Sequence, residues 1–373
     1  MSSDNIFNTI HAQTEAGSRP RLLSREQIED LVSRGEVISN ADCSAMDLSH
    51  INMAGGIFED VNFGKADLSG AQLNESIFLK SDFSDANLTD SNIHLTVFNE
   101  CLFRKGLLGK ANLTMAKFID ADFSSADLSG ADLTLASFVQ SDLRNSNLSG
   151  ALLSRSAFLE SVLTNADLSG AHCEQTMMVG VDFTTINLRQ TLFHQVLLFD
   201  SRFAQMDLQG MDFSMSQFKG SDLTGTNLSN ANLTQAGFVE ADLSGANLEK
   251  IQAPMALFVK AKMPEANLNG AILNQSVFQE ADLTSADLSG VEMVACACRK
   301  AVFRGTRFIR ANLTDSDFSH ADLSQANMTL ANLFRAKFHQ IKEEQTIWTG
   351  ANRESAFGTD PELAEAEQWQ PIL

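Results

Sequence analysis

Two imidazoles and a carboxylate, at His172, Glu174 and His194, form the grouping in this 373-residue chain that most resembles a reactive site. A set of two histidines and one carboxylate holds a divalent metal ion with coordination positions left open for chemistry. Glu174 and His194 are twenty residues apart, so they meet only in a fold that returns to the same face every twenty residues. Seven scattered histidines produce such neighbours by accident, and no metal site is assigned to them. Cys296 and Cys298 have the spacing of a metal pair on paper, but neither they nor the other three cysteines suggest a cluster or a disulfide framework. The chain lacks G-x-S-x-G, a P-loop, and a G-x-G-x-x-G following a strand. No catalytic residue, cofactor site or metal site is expected, and the chain does not read as an enzyme.

What positions every side chain is a five-residue repeat. From Cys43 to Phe338 each fifth residue is the centre of one pattern, as in ADLSG-AQLNE-SIFLK-SDFSD-ANLTD at 66–90. Position one is small, position two is often Asp or Asn, position three is Leu or Phe, and positions four and five are mostly polar. Of the sixty centres 59 are apolar, with Ala253 the one small residue, whereas 44% apolar content alone would give about 26. Period five matches neither the helical 3.6 nor the strand 2.0. It implies a solenoid whose units bury their apolar faces by stacking on one another.

A second period of twenty lies over the first. Every twentieth centre from Phe58 to Phe338 is Phe, apart from Met178, Leu198 and Cys298, while the series from Leu48 to Leu288 is Leu throughout. Four pentapeptides therefore make one turn with unlike faces. Sixty centres give about fifteen coils and, at about 4.8 Å per coil, a rod roughly 70 Å long. Met206, Met211 and Ile186 occupy the small position and mark a local bulge. Gly recurs at position five, where corners need positive φ, and Pro254 and Pro264 raise a kink near Ala253.

The motif A(D/N)LXX over four-fifths of the chain resembles the pentapeptide-repeat family. The resemblance implies an all-β, right-handed quadrilateral parallel β-helix, with the centre and the small residue inward and the other three side chains outward. It further implies a binding protein rather than a catalyst. The segment LLSREQIEDLVSRGEVISNADCSAMDLSHINMAGG is similar to the start of members encoded in bacterial type VI secretion clusters, which implies an accessory or adaptor protein for secreted effector or spike proteins. The alternative implied by the family is a DNA-mimicking binder of DNA gyrase or topoisomerase IV.

Four segments are expected: a flexible lead at 1–20, a capping helix at 21–36, the β-helix at 37–340, and a C-terminal cap with a short helix at 341–373. Ser24 and Gln27 make a capping-box pair ahead of Ile28, Leu31 and Val32, with Gly35 as the stop. Asp360-Pro361 starts the tail helix, which serves either as a cap or as a homodimer contact. The N-terminus has no signal-peptide pattern and the chain no run long enough to span a bilayer. A cytoplasmic protein without membrane insertion is expected, with export by a machine that needs no such signal left open.

Function then falls to the outward positions. The formal charge of −20 opposes direct nucleic-acid binding. One face carries an Asp column at position two: Asp82, Asp122, Asp142, Asp182, Asp222, Asp242, Asp282 and Asp322. Stacked carboxylates at this spacing repel one another, although Lys262 and Arg202 interrupt the run and Arg104, Arg144 and Arg304 sit beside it; this column is the contact expected under the DNA-mimic alternative. A milder ladder on the Leu face (Asn87, Asp127, Asn147, Asp167, Asn187) reads as structural hydrogen bonding. On the Phe face, positions two and four are apolar instead: Ile77, Leu79, Ile119, Val139, Leu159, Met177, Val179, Leu197, Phe199, Val239, Leu257 and Val259. That stripe is the expected protein-docking surface, or else the place where a second copy or a terminal segment packs.

Overall fold

The computed structural model describes residues 19–369; the lead expected at 1–20 lies almost wholly outside them. Each coil advances the chain by twenty residues, and within each unit parallel bridges link residue i to i+20, as in Arg21↔Ala41 and Lys337↔Phe357. The fold is the right-handed quadrilateral parallel β-helix expected from the repeat. The described residues divide into two units, 19–171 with 187–190, and 172–186 with 191–369.

In the first unit, β1 (Arg21–Leu22), β2 (Val37–Asp42), β3 (Ile57–Asn62), β4 (Ile77–Leu79), β5 (Val97–Asn99), β6 (Lys117–Ile119), β7 (Ser137–Val139) and β8 (Ala157–Leu159) pair in parallel, each with the next. Helix α1 (Arg25–Ser33) sits between β1 and β2, with Ile28 and Leu31 buried. Its capping box forms as the sequence implies: Gln27 N–H donates to Ser24 Oγ (3.3 Å) and Ser24 N–H to Gln27 Oε1 (2.8 Å).

The core is a set of columns. Phe58, Phe78, Phe98, Phe118, Phe138 and Phe158 stack with centroids 4.6–5.2 Å apart. Phe63, Phe83, Phe103 and Phe123 form a second stack at 4.5–5.0 Å, and the two columns meet edge to face. The coil spacing imposes the stacking, and aromatic quadrupoles favour the edge-to-face contact between columns. Hydroxyls at the small position donate to carbonyls either of the preceding coil, as Ser76 Oγ does to Met53 O (2.8 Å), or three residues back, as Ser91 Oγ does to Leu88 O (2.6 Å). The five cysteines are free and buried. Burial pushes the thiols up, to about 11 for Cys43 and about 12 for Cys101 and Cys296, so they act as small apolar groups.

The position-two carboxamides and carboxylates explain the polar half of the repeat. Each accepts the N–H of position four: Ser69 N–H on Asp67 Oδ1 (3.0 Å) and Thr89 N–H on Asn87 Oδ1 (3.1 Å) are examples. On the Leu face the alternation of Asp and Asn adds a second bond. Asn87, Asn147 and Asn187 donate Nδ2–H to Asp67, Asp127 and Asp167 of the preceding coil at 2.9–3.0 Å. The ladder is structural, as expected. Position five has positive φ as a rule, not only where Gly stands: Lys110, Asp120 and Leu135 have φ of 57°, 51° and 61°. A left-handed corner costs an L-residue roughly 1–2 kcal/mol, and here the ladder and turn bonds on either side offset it.

In the second unit, β9 (His172–Glu174) pairs in parallel with β11 (Leu192–His194), with β10 (Met177–Met178) between them in the chain. Phe218, Phe238, Phe258 and Phe278 restore a stack at 4.8–5.1 Å. Of the three large residues at the small position, Met206 and Met211 are half-buried and Ile186 is buried. Bridges on both sides of Pro254 and Pro264 keep the twenty-residue register, among them Gln252↔Ile272 and Lys262↔Asp282. After Phe338, Glu343 and Arg353 take centre slots on either side of Trp348. Arg353 pairs with Glu343 (2.7 Å) and lies 4.5 Å over the Trp348 ring, which packs edge-on against Phe338. This plug ends the core with charge. Helix α2 (Pro361–Gln368) follows, capped by Asp360. No described helix is long and apolar enough to cross a membrane.

Candidate functional site

Strand geometry sends positions two and four outward, and their exposure depends on what the next coil offers. In the first unit, Ile77, Ile119, Val139 and Leu159 are half-buried, and Leu79 is buried. Neighbouring side chains about 4.8 Å above and below shield them. In the second unit, Met177, Val179, Leu197, Phe199, Val239 and Val259 are half-buried, and Leu257 is exposed. Lys117 interrupts the apolar series in the first unit, and Gln217 and Lys219 interrupt it in the second.

The corner preceding this face holds more exposed apolar groups than the face itself. Leu95, Met115 and Leu135, each at position five, are 41%, 42% and 46% exposed. Sequence reasoning passed over them because it treated position five as a polar corner. Their signal was legible: three apolar residues at one slot in consecutive coils.

The cations expected within and beside the acidic column pair with it. In the first unit Arg104 Nε reaches Asp122 (2.5 Å), and the Arg144 guanidinium bonds Asp142 (2.5–2.9 Å); Asp82 accepts Ser84 N–H (2.8 Å). In the second, Arg202 sits between Asp182 (3.4 Å) and Asp222 (3.6 Å). Lys262 lies 4.0 Å from Asp242, and Arg304 lies 3.9 Å from Asp322. Asp282 accepts both the N–H and the hydroxyl of Thr284. Embedded cations and turn donors therefore relieve the repulsion.

The same partners hold the carboxyls low. The Arg144 hydrogen bond lowers Asp142 against the opposing effect of burial. Burial pulls Asp122 upward, but the Ser124 hydroxyl and amide and Arg104 outweigh it. Asp322 is lowered in the same way through Ser324. A carboxyl lowered in the folded state favours folding above its unfolded pKa, about 3.9, and that contribution disappears as pH falls through the folded value. Urea unfolding midpoints should therefore be flat from pH 7 to about pH 5 and fall steadily below about pH 4.

Two groups of potential metal ligands stand apart. Glu174 and His194 are register partners as expected, but His172 faces Leu192, and His194 Nδ1 hydrogen-bonds Ser214 Oγ (3.0 Å). The group that converges among the described residues is His320, His339 and Glu367. Glu367, from α2, accepts from His339 Nε2 and is near His320 Nε2, both at 3.2 Å. Asp360 N–H donates to His339 Nδ1 (3.1 Å), so that ring carries its proton on Nε2. A protonated Nε2 has no lone pair for a metal. The cluster is a hydrogen-bonded clasp that lays α2 against the last coils, and the His339 bond lowers the Glu367 carboxyl.

The profile of the family Pentapeptide repeats matches the chain in overlapping copies over 38–195, 197–249 and 261–342. Among solved structures, full-length QnrB1, a plasmid-mediated fluoroquinolone resistance protein, is similar at 18% identity, over 49% of this chain and 93% of that one, with a TM-score of 0.45. HetL of the cyanobacterium Nostoc sp. strain PCC 7120, involved in heterocyst differentiation regulation, is similar at 22% identity over 79% and 95%, with a TM-score of 0.17. A pentapeptide-repeat protein of the Arabidopsis thaliana thylakoid lumen shares 27% identity over 26% and 63%, with a TM-score of 0.22. No curated protein matches the sequence.

Proposed function

The chain belongs to the pentapeptide-repeat family, and from that premise we propose that it is a non-catalytic protein-binding scaffold whose partner docks on the apolar outward positions of the Phe-centred face. The observation that carries this reading is the replacement of the repeat's polar outward residues by Leu197, Phe199, Val239, Leu257 and Val259. These side chains lie outside the core and remain partly exposed. An apolar series on a solvent-facing strand adds nothing to the core and gives a partner area to bury. For the partner, the similarity of the segment from Leu22 to Gly56 to type VI secretion-cluster members favours an effector or spike protein, with this chain as adaptor.

A second reading has its own observation. Asp122, Asp142, Asp182 and Asp322 face outward with carboxyls held low, on a chain of net charge −20. Such a surface suits a groove that takes DNA, as in a DNA-mimicking binder of gyrase or topoisomerase IV. Capture from native cytosol, run beside a gyrase supercoiling assay, separates the two. Recovery of secretion spike or effector proteins, with supercoiling untouched, supports the adaptor. Altered supercoiling that Asp142→Lys with Asp182→Lys abolishes would replace it with DNA mimicry. A homodimer through the tail or the apolar face would appear as a doubled mass in sedimentation, with no heterologous partner captured.

A further inference from the structure

Leu95, Met115 and Leu135 occupy one corner of three consecutive coils in the first unit. Each exposes two-fifths or more of its surface, and each has a left-handed backbone, with φ of 58°, 59° and 61°. Asn, Asp and Gly take this conformation with less strain, and elsewhere most corners carry them or another polar residue, such as Asp85, Asp90 and Gly130. Water disfavours the side chains and the backbone disfavours their type. A position that breaks two local rules at once, with no gain to the core, marks function more often than stability.

We propose that Leu95, Met115 and Leu135 form a ridge that docks an amphipathic helix of another protein, one whose apolar stripe is flanked by basic residues. The inference rests on the scaffold reading and names the class of partner. The ridge rises by about 4.8 Å per coil, close to the 5–6 Å between helical neighbours at i and i+3 or i+4. An apolar stripe on a helix lying along the solenoid axis therefore keeps in step with it over about two turns. On the faces and corners that flank these three coils, Asp90, Glu100, Asp120 and Asp132 stand against Lys110 and Lys117, so the rim has an acidic excess that Lys or Arg on the helix would meet. Another copy of the chain is the wrong occupant. It would bring the same acidic rim and a net charge of −20. Three corner side chains also fall well short of the roughly 800 Å² per partner that a stable dimer buries.

The test uses two labelled helical peptides of about five turns with the same Leu stripe, one flanked by Lys and one by Glu. Each is titrated by fluorescence anisotropy into the full chain and into Leu95→Asn/Met115→Asn/Leu135→Asn. Asn suits the left-handed corner, so the triple variant should melt at or above the wild-type temperature. The Lys-flanked peptide should bind the wild type, and the triple variant at least tenfold more weakly; the Glu-flanked peptide should bind the wild type at least tenfold more weakly too. Equal binding of the two peptides, no binding to the wild type, or undiminished binding to the triple variant would overturn the ridge. If binding survives in the triple variant but is lost in Leu197→Asp/Phe199→Asp, the scaffold reading stands and the ridge falls. A wild-type dimer in sedimentation that the triple variant abolishes would make a second copy the occupant and would also overturn the proposal.

Discussion

Phe118→Ala should lower the free energy of unfolding by about 3–5 kcal/mol, the range for emptying a buried aromatic site. The Phe118 ring is fully buried. It stacks on Phe98 (5.2 Å) and Phe138 (4.8 Å) and meets Phe123 edge-on (4.9 Å). Loss at this site is large because the walls cannot close in. Backbone pairing of Lys117 with Val97 on one side and Ser137 on the other fixes the coil spacing, so the space left by the ring remains a cavity. Phe118→Leu keeps most of the volume and should cost only about 1–2 kcal/mol, with the stacking lost. Urea unfolding of the two variants against wild type gives both numbers. A loss below about 1 kcal/mol for the alanine variant would mean that the Phe columns do not hold the solenoid together.

Leu197→Asp with Phe199→Asp should weaken partner capture by about 100-fold or more while leaving the fold intact. Two anchors of about 2 kcal/mol or above each would account for the loss. The folded state tolerates the pair for a reason visible in the repeat. Position two is where Asp ordinarily accepts the N–H of position four, so Asp at 197 can make the turn bond that Asp182 makes to Thr184 N–H (3.0 Å). Position four is ordinarily polar as well. Both wild-type side chains are only half-buried, so little core area is lost. Circular dichroism and the unfolding midpoint should match wild type. A variant that captures the partner as wild type does removes this face from the function.

How far the sequence spoke for itself follows from the periods. The coil, the inward centres and the Phe columns were legible because every coil repeats one steric problem at a fixed spacing of five and twenty. The start of α1 was legible from Ser24 and Gln27, since a capping box is local. The exposure of outward residues was less so. Ile77 and Leu257 both hold position two, yet one is half-buried and the other is 39% exposed, because shielding depends on which side chains the adjacent coils carry. That Arg202 and Lys262 stand within the carboxylate column and Arg104, Arg144 and Arg304 beside it was legible; which Asp each one reaches was not, since Arg104 pairs with Asp122 of the following coil and Arg144 with Asp142 of its own. The convergence of Glu367 on His320 and His339 had no period to reveal it, since α2 lies outside the repeat and reaches them by its own path.

The most direct test of the central claim is the salt dependence of capture, measured as the dissociation constant for the recovered partner between 50 and 300 mM NaCl. Docking on apolar side chains, with only a few charges at the rim, should change by no more than about fivefold, since rim pairs contribute little to affinity. A loss of about 100-fold or more across that range, the behaviour of binding carried by many ionic contacts, would contradict the account and move the site to the acidic column.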